Sequence, residues 1–233
     1  KRVLESGKHL LMEKTFTETK EQAKDLFSLA TANNLGCMEA LMYEFHPVQE
    51  QIASLSKEIG KIRSVEAHFA IPHFSDRGNI RYSKDIGGGA ALDCLIYPLS
   101  FVFKMLGKDY IDSSISKYTD TASGVDERGY IHLKYREAVA NISYGYGHSY
   151  RNEVLVWGET GILKAQRAFS RPECCISPIE IWNNGVCKIH KVDESNHFVN
   201  MLDSYFDIGH WGLGESTMER MSFIEKVLKE NTL

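Results

Sequence analysis

At 233 residues the chain is long for one minimal core and short for two generous domains, so one large domain or two small ones is expected. A hydrophobic content of 43% with 25% charged residues excludes the disordered, collagen-like and low-complexity classes. With a net charge of -4 and no block of consecutive Lys and Arg, little is available to release counterions from a phosphate backbone, and no nucleic-acid partner is expected.

Taken in chain order, Lys1 to Gly7 reads as the end of a helix stopped by Ser6-Gly7. Because the chain opens on Lys1 and not on Met, an upstream portion is expected. A short apolar run, His9 to Met12, leads through Glu13-Lys14 into a helical stretch from about Lys20 to Asn33, with Ala23, Leu26, Phe27 and Ala30 on one face. A second apolar run, Gly36 to Met42, follows, so the first 45 residues read as strand, helix, strand, the alternation of a parallel sheet and the back part of a Rossmann-type α/β domain. Residues 46–233 read as a separate α+β domain. Its first element is a helix from Pro47 to Ile59, stopped by Gly60.

Beyond Gly60 the hydrophobic period changes from helical to alternating. A strand from Ile62 to Ile71 is followed by the apolar run Ala90 to Gly107, which Asp93 and Lys104 interrupt, so no membrane span is expected. Further strands are expected at 113–119, 130–135, 138–146, 153–157, 161–169, 178–182 and 186–192, giving a large, mostly antiparallel open sheet with flanking helices. Gly158-Glu159-Thr160-Gly161 and Asn183-Asn184-Gly185 are hairpin turns between them. Helices over 196–208 and 216–231 end the chain. In the strand around Ile142 to Tyr150 bulky residues alternate with Ser and Gly, which predicts one face packed against helices or a second subunit; a floor cleared for a flat ligand is the sharper alternative. Homodimers or larger homo-oligomers are expected through this sheet.

Five cysteines without a CxxC resemble neither a disulfide framework nor a zinc ribbon and point to a reducing, cytoplasmic setting. Nine histidines include no HxH or HExxH, so no metal site is expected, and no GxSxG supports a serine hydrolase. Gly87-Gly88-Gly89 is not GxGxxG and reads as a place of close backbone approach. What is left is sparse. Lys14 stands at the carboxyl end of a parallel strand, where ligands of open α/β sheets bind, beside Glu13; Arg81 lies in a loop; Asp93 and Tyr97 share a helical face at i, i+4. On periodicity alone, Asp93 as a helix cap and Tyr97 as a core residue is the simpler reading of that pair.

Three blocks alter that balance. His9-Leu10-Leu11-Met12-Glu13-Lys14-Thr15, Met38-Glu39-Ala40-Leu41-Met42-Tyr43-Glu44-Phe45-His46-Pro47 and Gly87-Gly88-Gly89-Ala90-Ala91-Leu92-Asp93-Cys94-Leu95-Ile96-Tyr97 resemble, in order and spacing, the glucose-fructose oxidoreductase, inositol dehydrogenase and MocA family. The likeness covers nearly the whole chain and implies an NAD- or NADP-dependent oxidoreductase transferring a hydride to or from a sugar-like alcohol or ketone, nucleotide-linked ones included. It implies catalytic roles for Lys14, Asp93 and Tyr97, cofactor contacts for Glu13 and Lys14, and substrate contacts for Arg81 and Tyr97. A dihydrodiol-type dehydrogenase and a non-catalytic binding or oligomerisation module are the alternatives.

Thr15 stands where the family has proline, Leu95 where it has glycine and Glu44 where arginine is frequent, and the GxGxxG fingerprint is missing from this chain. Leu95 is expected to narrow or refashion the substrate pocket. Chemically, reduction of a ketone leaves charge on oxygen, so Tyr97 is expected to donate a proton while the Lys14 cation lowers the phenol's pKa and Asp93 orients one of them.

Overall fold

The computed structural model describes residues 1–207 and 214–230. A short helix α1 (Arg2–Glu5) ends at Gly7, whose φ of 72° lets the chain reverse into strand β1 (Leu10–Glu13). Helix α2 (Lys20–Ala32) starts at a capping box, in which the Thr19 side chain accepts from the Gln22 amide and the Gln22 side chain returns to Thr19. Strand β2 (Cys37–Ala40) then pairs parallel with β1, Leu10 opposite Cys37 and Glu13 opposite Ala40. The strand, helix, strand reading of the first 45 residues is what the chain forms, with β2 shorter than expected because residues 42–45 tighten into a 3-10 turn.

Helix α3 (Val48–Leu55) buries Val48 and Ile52 and passes into a 3-10 turn that Gly60 ends. Strand β3 (Ile62–Ala70) follows, then a long loop, then helices α4 (Ala90–Asp93) and α5 (Ile96–Leu106), and then strands β4 (Asp112–Thr119), β5 (Asp126–Lys134), β6 (Val139–Gly145), β7 (Arg151–Gly158), β8 (Gly161–Gln166), β9 (Ile179–Asn183) and β10 (Val186–His190). Helices α6 (His197–Phe206) and α7 (Gly214–Lys229) complete the described chain; the expected helix ends at Ile208 and Asn231 lie outside it.

The large sheet has eight strands in the order β10-β9-β8-β7-β3-β6-β5-β4. Every neighbouring pair is antiparallel except β3 with β6, so the sheet is mostly antiparallel around one parallel seam. Both expected hairpins form: Glu159-Thr160 joins β7 to β8, and Asn184-Gly185, with φ of 50° and 78°, makes the turn between β9 and β10 that suits the twist of the strands. Strand β8 stops at Gln166, short of Phe169, where Arg167 takes a positive φ of 55°. Strand β5 begins at Asp126, four residues before its expected start at Tyr130.

One face of the sheet carries the core. Val65, Ala67, Ile142, Val154, Val156 and Leu163 are fully or almost fully buried on it, and α5, whose residues from Ile96 to Val102 are all buried, packs against β3 and β6. Each such large side chain withdrawn from water contributes about 1.5–3 kcal/mol. Tyr144 and Tyr146 of the aromatic-rich strand lie on this inner side, and Gly129 on β5 is bare because an added Cβ would stand 2.5 Å from the Tyr144 ring. The bulky face is therefore packed within the chain; the bare face of Asn141 and Ser143 is the open one. Helix α7 lies against α2 and α5. Among the described residues no single helix is long and apolar enough to cross a membrane.

Candidate active site

Lys14 follows the last residue of β1 and reaches across to α4. Its ammonium donates to Asp93 Oδ1 at 2.5 Å and to the Asp93 carbonyl at 2.9 Å. The other Asp93 oxygen, Oδ2, accepts from Arg81 Nε at 2.6 Å and from the Tyr146 hydroxyl at 3.1 Å. Asp93 is thus not a helix cap; its carboxylate is the hub of two cations and a phenol. Burial opposes its ionisation, but Lys14 and Arg81 outweigh burial and hold the carboxyl below its ordinary value. The Arg81 guanidinium also lies over the Phe74 ring, 4.7 Å from its centroid.

Tyr97 sits under this pair. The Lys14 ammonium is 5.2 Å from the centroid of its ring, and the ring packs against Phe69 at 4.7 Å and Tyr43 at 5.9 Å. The helix is broken at Cys94-Leu95, so Asp93 and Tyr97 belong to different helices, yet Lys14 touches both. One expectation changes here, and one left open is settled. The cation lies over the ring and does not lower the phenol's pKa: burial, with the negative charge of Asp93, pushes Tyr97 well above its ordinary value. Asp93 orients Lys14 and Arg81, not Tyr97.

The pair opens onto a cavity of about 450 Å³ between β1 and the loop before α4, walled by Glu13, Lys14, Arg81, Gly87 to Gly89 and Asp93. Ile80 and Ile86, 65% and 61% exposed, form an apolar part of its wall. Glu13, Lys14, Arg81 and Asp93 are therefore brought together, whereas Tyr97 lies behind Lys14 and off the wall. The glycines do allow close approach: a Cβ on Gly88 would stand 2.6 Å from the Ser83 carbonyl oxygen. Leu95 is buried in the core and does not narrow the pocket. Thr15, following a cis peptide, donates from its hydroxyl to the Leu92 carbonyl and so ties the end of β1 to α4.

Three contributors were not found from the sequence. Tyr146 also bonds the Gly89 carbonyl, at 3.2 Å, and Asp126 accepts from the Ala91 amide at 2.6 Å; Asp126 comes from the start of β5 and Tyr146 from just past the end of β6. Glu39 accepts from the Phe16 amide at 3.0 Å and from Arg220 at 2.7 Å, which anchors the turn that carries Lys14. The aromatic alternation around Tyr146 was the only signal available, and it spoke of packing. Among the described residues no group of three His, Cys, Asp or Glu side chains is placed to hold a metal ion.

A strand-end lysine paired with an aspartate thus stands in a cleft beside a large open sheet, at the carboxyl end of a parallel strand where ligands of α/β sheets bind. Residues 47–164 match the family model of the GFO/IDH/MocA C-terminal domain, and the chain belongs to that family. It is 31% identical, over 94% of its length and 68% of the relative's, to the dTDP-3,4-didehydro-2,6-dideoxy-alpha-D-glucose 3-reductase of Streptomyces antibioticus. It is 29% identical, over 78% of its length and 54% of the relative's, to the trans-1,2-dihydrobenzene-1,2-diol dehydrogenase of Xenopus laevis. Among solved structures, KijD10, a 3-ketoreductase of Actinomadura kijaniata crystallised with NADP and TDP-benzene, superposes with a TM-score of 0.90 at 29% identity, covering 97% of this chain and 72% of that one.

Proposed function

We propose that the protein carrying this chain is an NADP- or NAD-dependent oxidoreductase that interconverts a ketone and an alcohol on a sugar-like substrate, with a nucleotide-linked keto sugar as the leading candidate. The observation that carries the reading is the Lys14–Asp93–Arg81 cluster on the cavity wall. In it the Lys14 ammonium, held in place by the Asp93 carboxylate, is a fixed positive charge on the cavity wall, which is what a developing alkoxide requires. The reductase and ketoreductase relatives support the sugar and the cofactor.

Residues 1–45 are read as the remainder of a dinucleotide-binding domain and 46–233 as the part that binds substrate and self-associates. Glu13 and Lys14, at the carboxyl end of β1, fit the nicotinamide end of a dinucleotide, since the glycine loop opposite keeps side chains out of the cleft. The cofactor, when bound, supplies or accepts the hydride. The chain's own residues manage the proton. Lys14 holds one at Nζ, facing the cavity; Asp93 fixes that nitrogen, and Arg81 balances the carboxylate. Tyr97 supports the ammonium through its ring face. The alternative, with Tyr97 as the donor, is disfavoured by burial, which raises the phenol's pKa and makes it a weaker acid at neutral pH.

Steady-state kinetics on two variants test this. Lys14→Met should lower turnover by roughly a hundred- to ten-thousand-fold, the loss typical of an acid-base group. Tyr97→Phe keeps the ring and should retain most of the turnover; a comparable fall would transfer the proton to Tyr97, and unchanged turnover in Lys14→Met would overturn the reading of the site.

Self-association is proposed through the open face of the sheet. Trp157, Ile162, Trp182 and Cys187 stand in register across β7, β8, β9 and β10, and both tryptophans are about half exposed. Trp157→Lys should reduce the sedimenting mass of the wild-type protein, and a wild-type monomer at tens of micromolar would contradict the proposal.

A further inference from the structure

Helix α4 is a single turn, and a single turn has little stability of its own. It nevertheless carries Asp93, on which Lys14 and Arg81 converge. Gly89, at its N-terminus, has no side chain to satisfy the orphan amides there, and no local side chain caps them. The acceptor comes from another element. Asp126, the first residue of β5 and 5% exposed, places Oδ2 2.6 Å from the Ala91 amide nitrogen. Its Oδ1 occupies the space a Gly89 side chain would need, 2.3 Å from an added Cβ. The glycine and the carboxylate are therefore a matched pair: any side chain at Gly89 would displace the group that caps the helix.

We infer that Asp126 is a positioning residue for the Lys14–Asp93 pair, capping α4 from the sheet and so setting where the Asp93 carboxylate stands. The inference rests on the reading of Lys14 and Asp93 as the working pair. Two other ties hold the same turn, the Thr15 hydroxyl on the Leu92 carbonyl and the Tyr146 hydroxyl on the Gly89 carbonyl, but Asp126 is the charged one at the N-terminal end. The groups facing it are Lys117 from β4, whose ammonium is engaged by the Leu228 carbonyl at 2.7 Å, Cys94 from the turn after α4, and Tyr144 from β6; Glu18 and Lys84 stand on the adjoining cavity wall. Burial pushes the Asp126 carboxyl up to about 6, against the pull of the Ala91 amide and Lys117, so its charge changes within the accessible pH range.

The test follows two protons in the protein carrying this chain: hydrogen exchange of the Ala91 amide, and the nitrogen-15 resonance of the Arg81 Nε–H group bonded to Asp93. Asp126→Ala should speed exchange at Ala91 by about ten-fold or more, as expected for a lost hydrogen bond of about 1.5–3 kcal/mol to a charged group, and should shift the Arg81 signal. In the wild type the protection of the Ala91 amide, taken against the intrinsic exchange rate at each pH, and the Arg81 signal should both change as pH falls through about 6, and in Asp126→Asn, which still accepts but does not titrate, both should be flat with pH. Faster exchange at Ala91 with an unmoved Arg81 signal would make Asp126 a local cap only and overturn the inference. A pH response preserved in Asp126→Asn would overturn it as well, and that arm decides the matter where Asp126→Ala does not fold. With hydride transfer as readout, Asp126→Ala should lose about a hundred-fold in kcat with cofactor affinity unchanged, the scale of a misplaced reacting group. Should no keto sugar be turned over at all, the functional reading fails, while the two proton readouts still decide on Asp126.

Discussion

Asp93 shows how one side chain acquires a role through its neighbours. Alone, a carboxylate this enclosed would tend to keep its proton; between Lys14 and Arg81 it stays charged, and in return it fixes the only ammonium on the cavity wall among the described residues. His46 shows the opposite behaviour. It is 2% exposed, its Nδ1 accepts from the Val48 amide at 3.1 Å, and its Nε2 has no hydrogen-bond partner among the described residues. Burial, reinforced by Arg171 and His197, pushes its pKa down to about 4, from an ordinary value near 6.5. A histidine held neutral contributes stability that is complete above 6.5 and lost as pH falls toward 4, on the order of 3 kcal/mol at 1.36 kcal/mol per unit. Urea denaturation between pH 7 and 4 should show this acid limb, and His46→Asn, which can still accept from Val48, should flatten it; equal slopes in the two proteins would remove His46 as its source. At this scale the sequence disclosed Lys14 and Asp93, one by its strand-end position and both by motif. It could not disclose Tyr146 or Asp126, which reach the site from 53 and 35 positions away: the alternation around Tyr146 signals packing, and Asp126 carries no local pattern of its own.

Among elements, α7 has the widest reach, since it closes the chain by returning to β2 and α2. Arg220 on α7 and Glu39 on β2 form an ion pair with side chains only 4% and 1% exposed, and the Thr217 hydroxyl joins it at 3.0 Å. Arg220→Met would leave Glu39 charged and buried, which should cost about 3–5 kcal/mol; adding Glu39→Gln should recover part of the loss, because the stranded charge is then gone. Equilibrium unfolding of the two variants measures this, and a double variant no better than the single one would contradict it. Because Glu39 also holds the Phe16 amide, the single variant should lower turnover too. Element types were legible along most of the chain, from the capping box at Thr19 to the two hairpins, because each is written in adjacent residues. The broken helix between Asp93 and Ile96 was not, since the apolar stretch Cys94-Leu95-Ile96 reads the same whether or not the helix bends there.

For the molecule as a whole, the parallel seam beside β3 is the feature that periodicity could not foretell: alternation states that a strand exists and which face it buries, but not which strand lies next to it. The seam also has a consequence in time. Strands β4 to β6 and β7 to β10 are two meanders whose neighbours follow one another along the chain, so each can form through short loops. Strand β3 is made early yet has no local partner; its His68 meets Ser143 75 positions later, and its other edge waits for β7. Closing so long a loop is slow relative to forming a hairpin. The central strand should therefore be the last of the sheet to commit, with refolding rates sensitive to Ile131→Val within a meander and largely insensitive to Val65→Ala, which should act on unfolding instead. A nascent chain would hold β3 uncovered until both meanders had emerged, which makes a central strand of the native sheet the one exposed longest on the way to it.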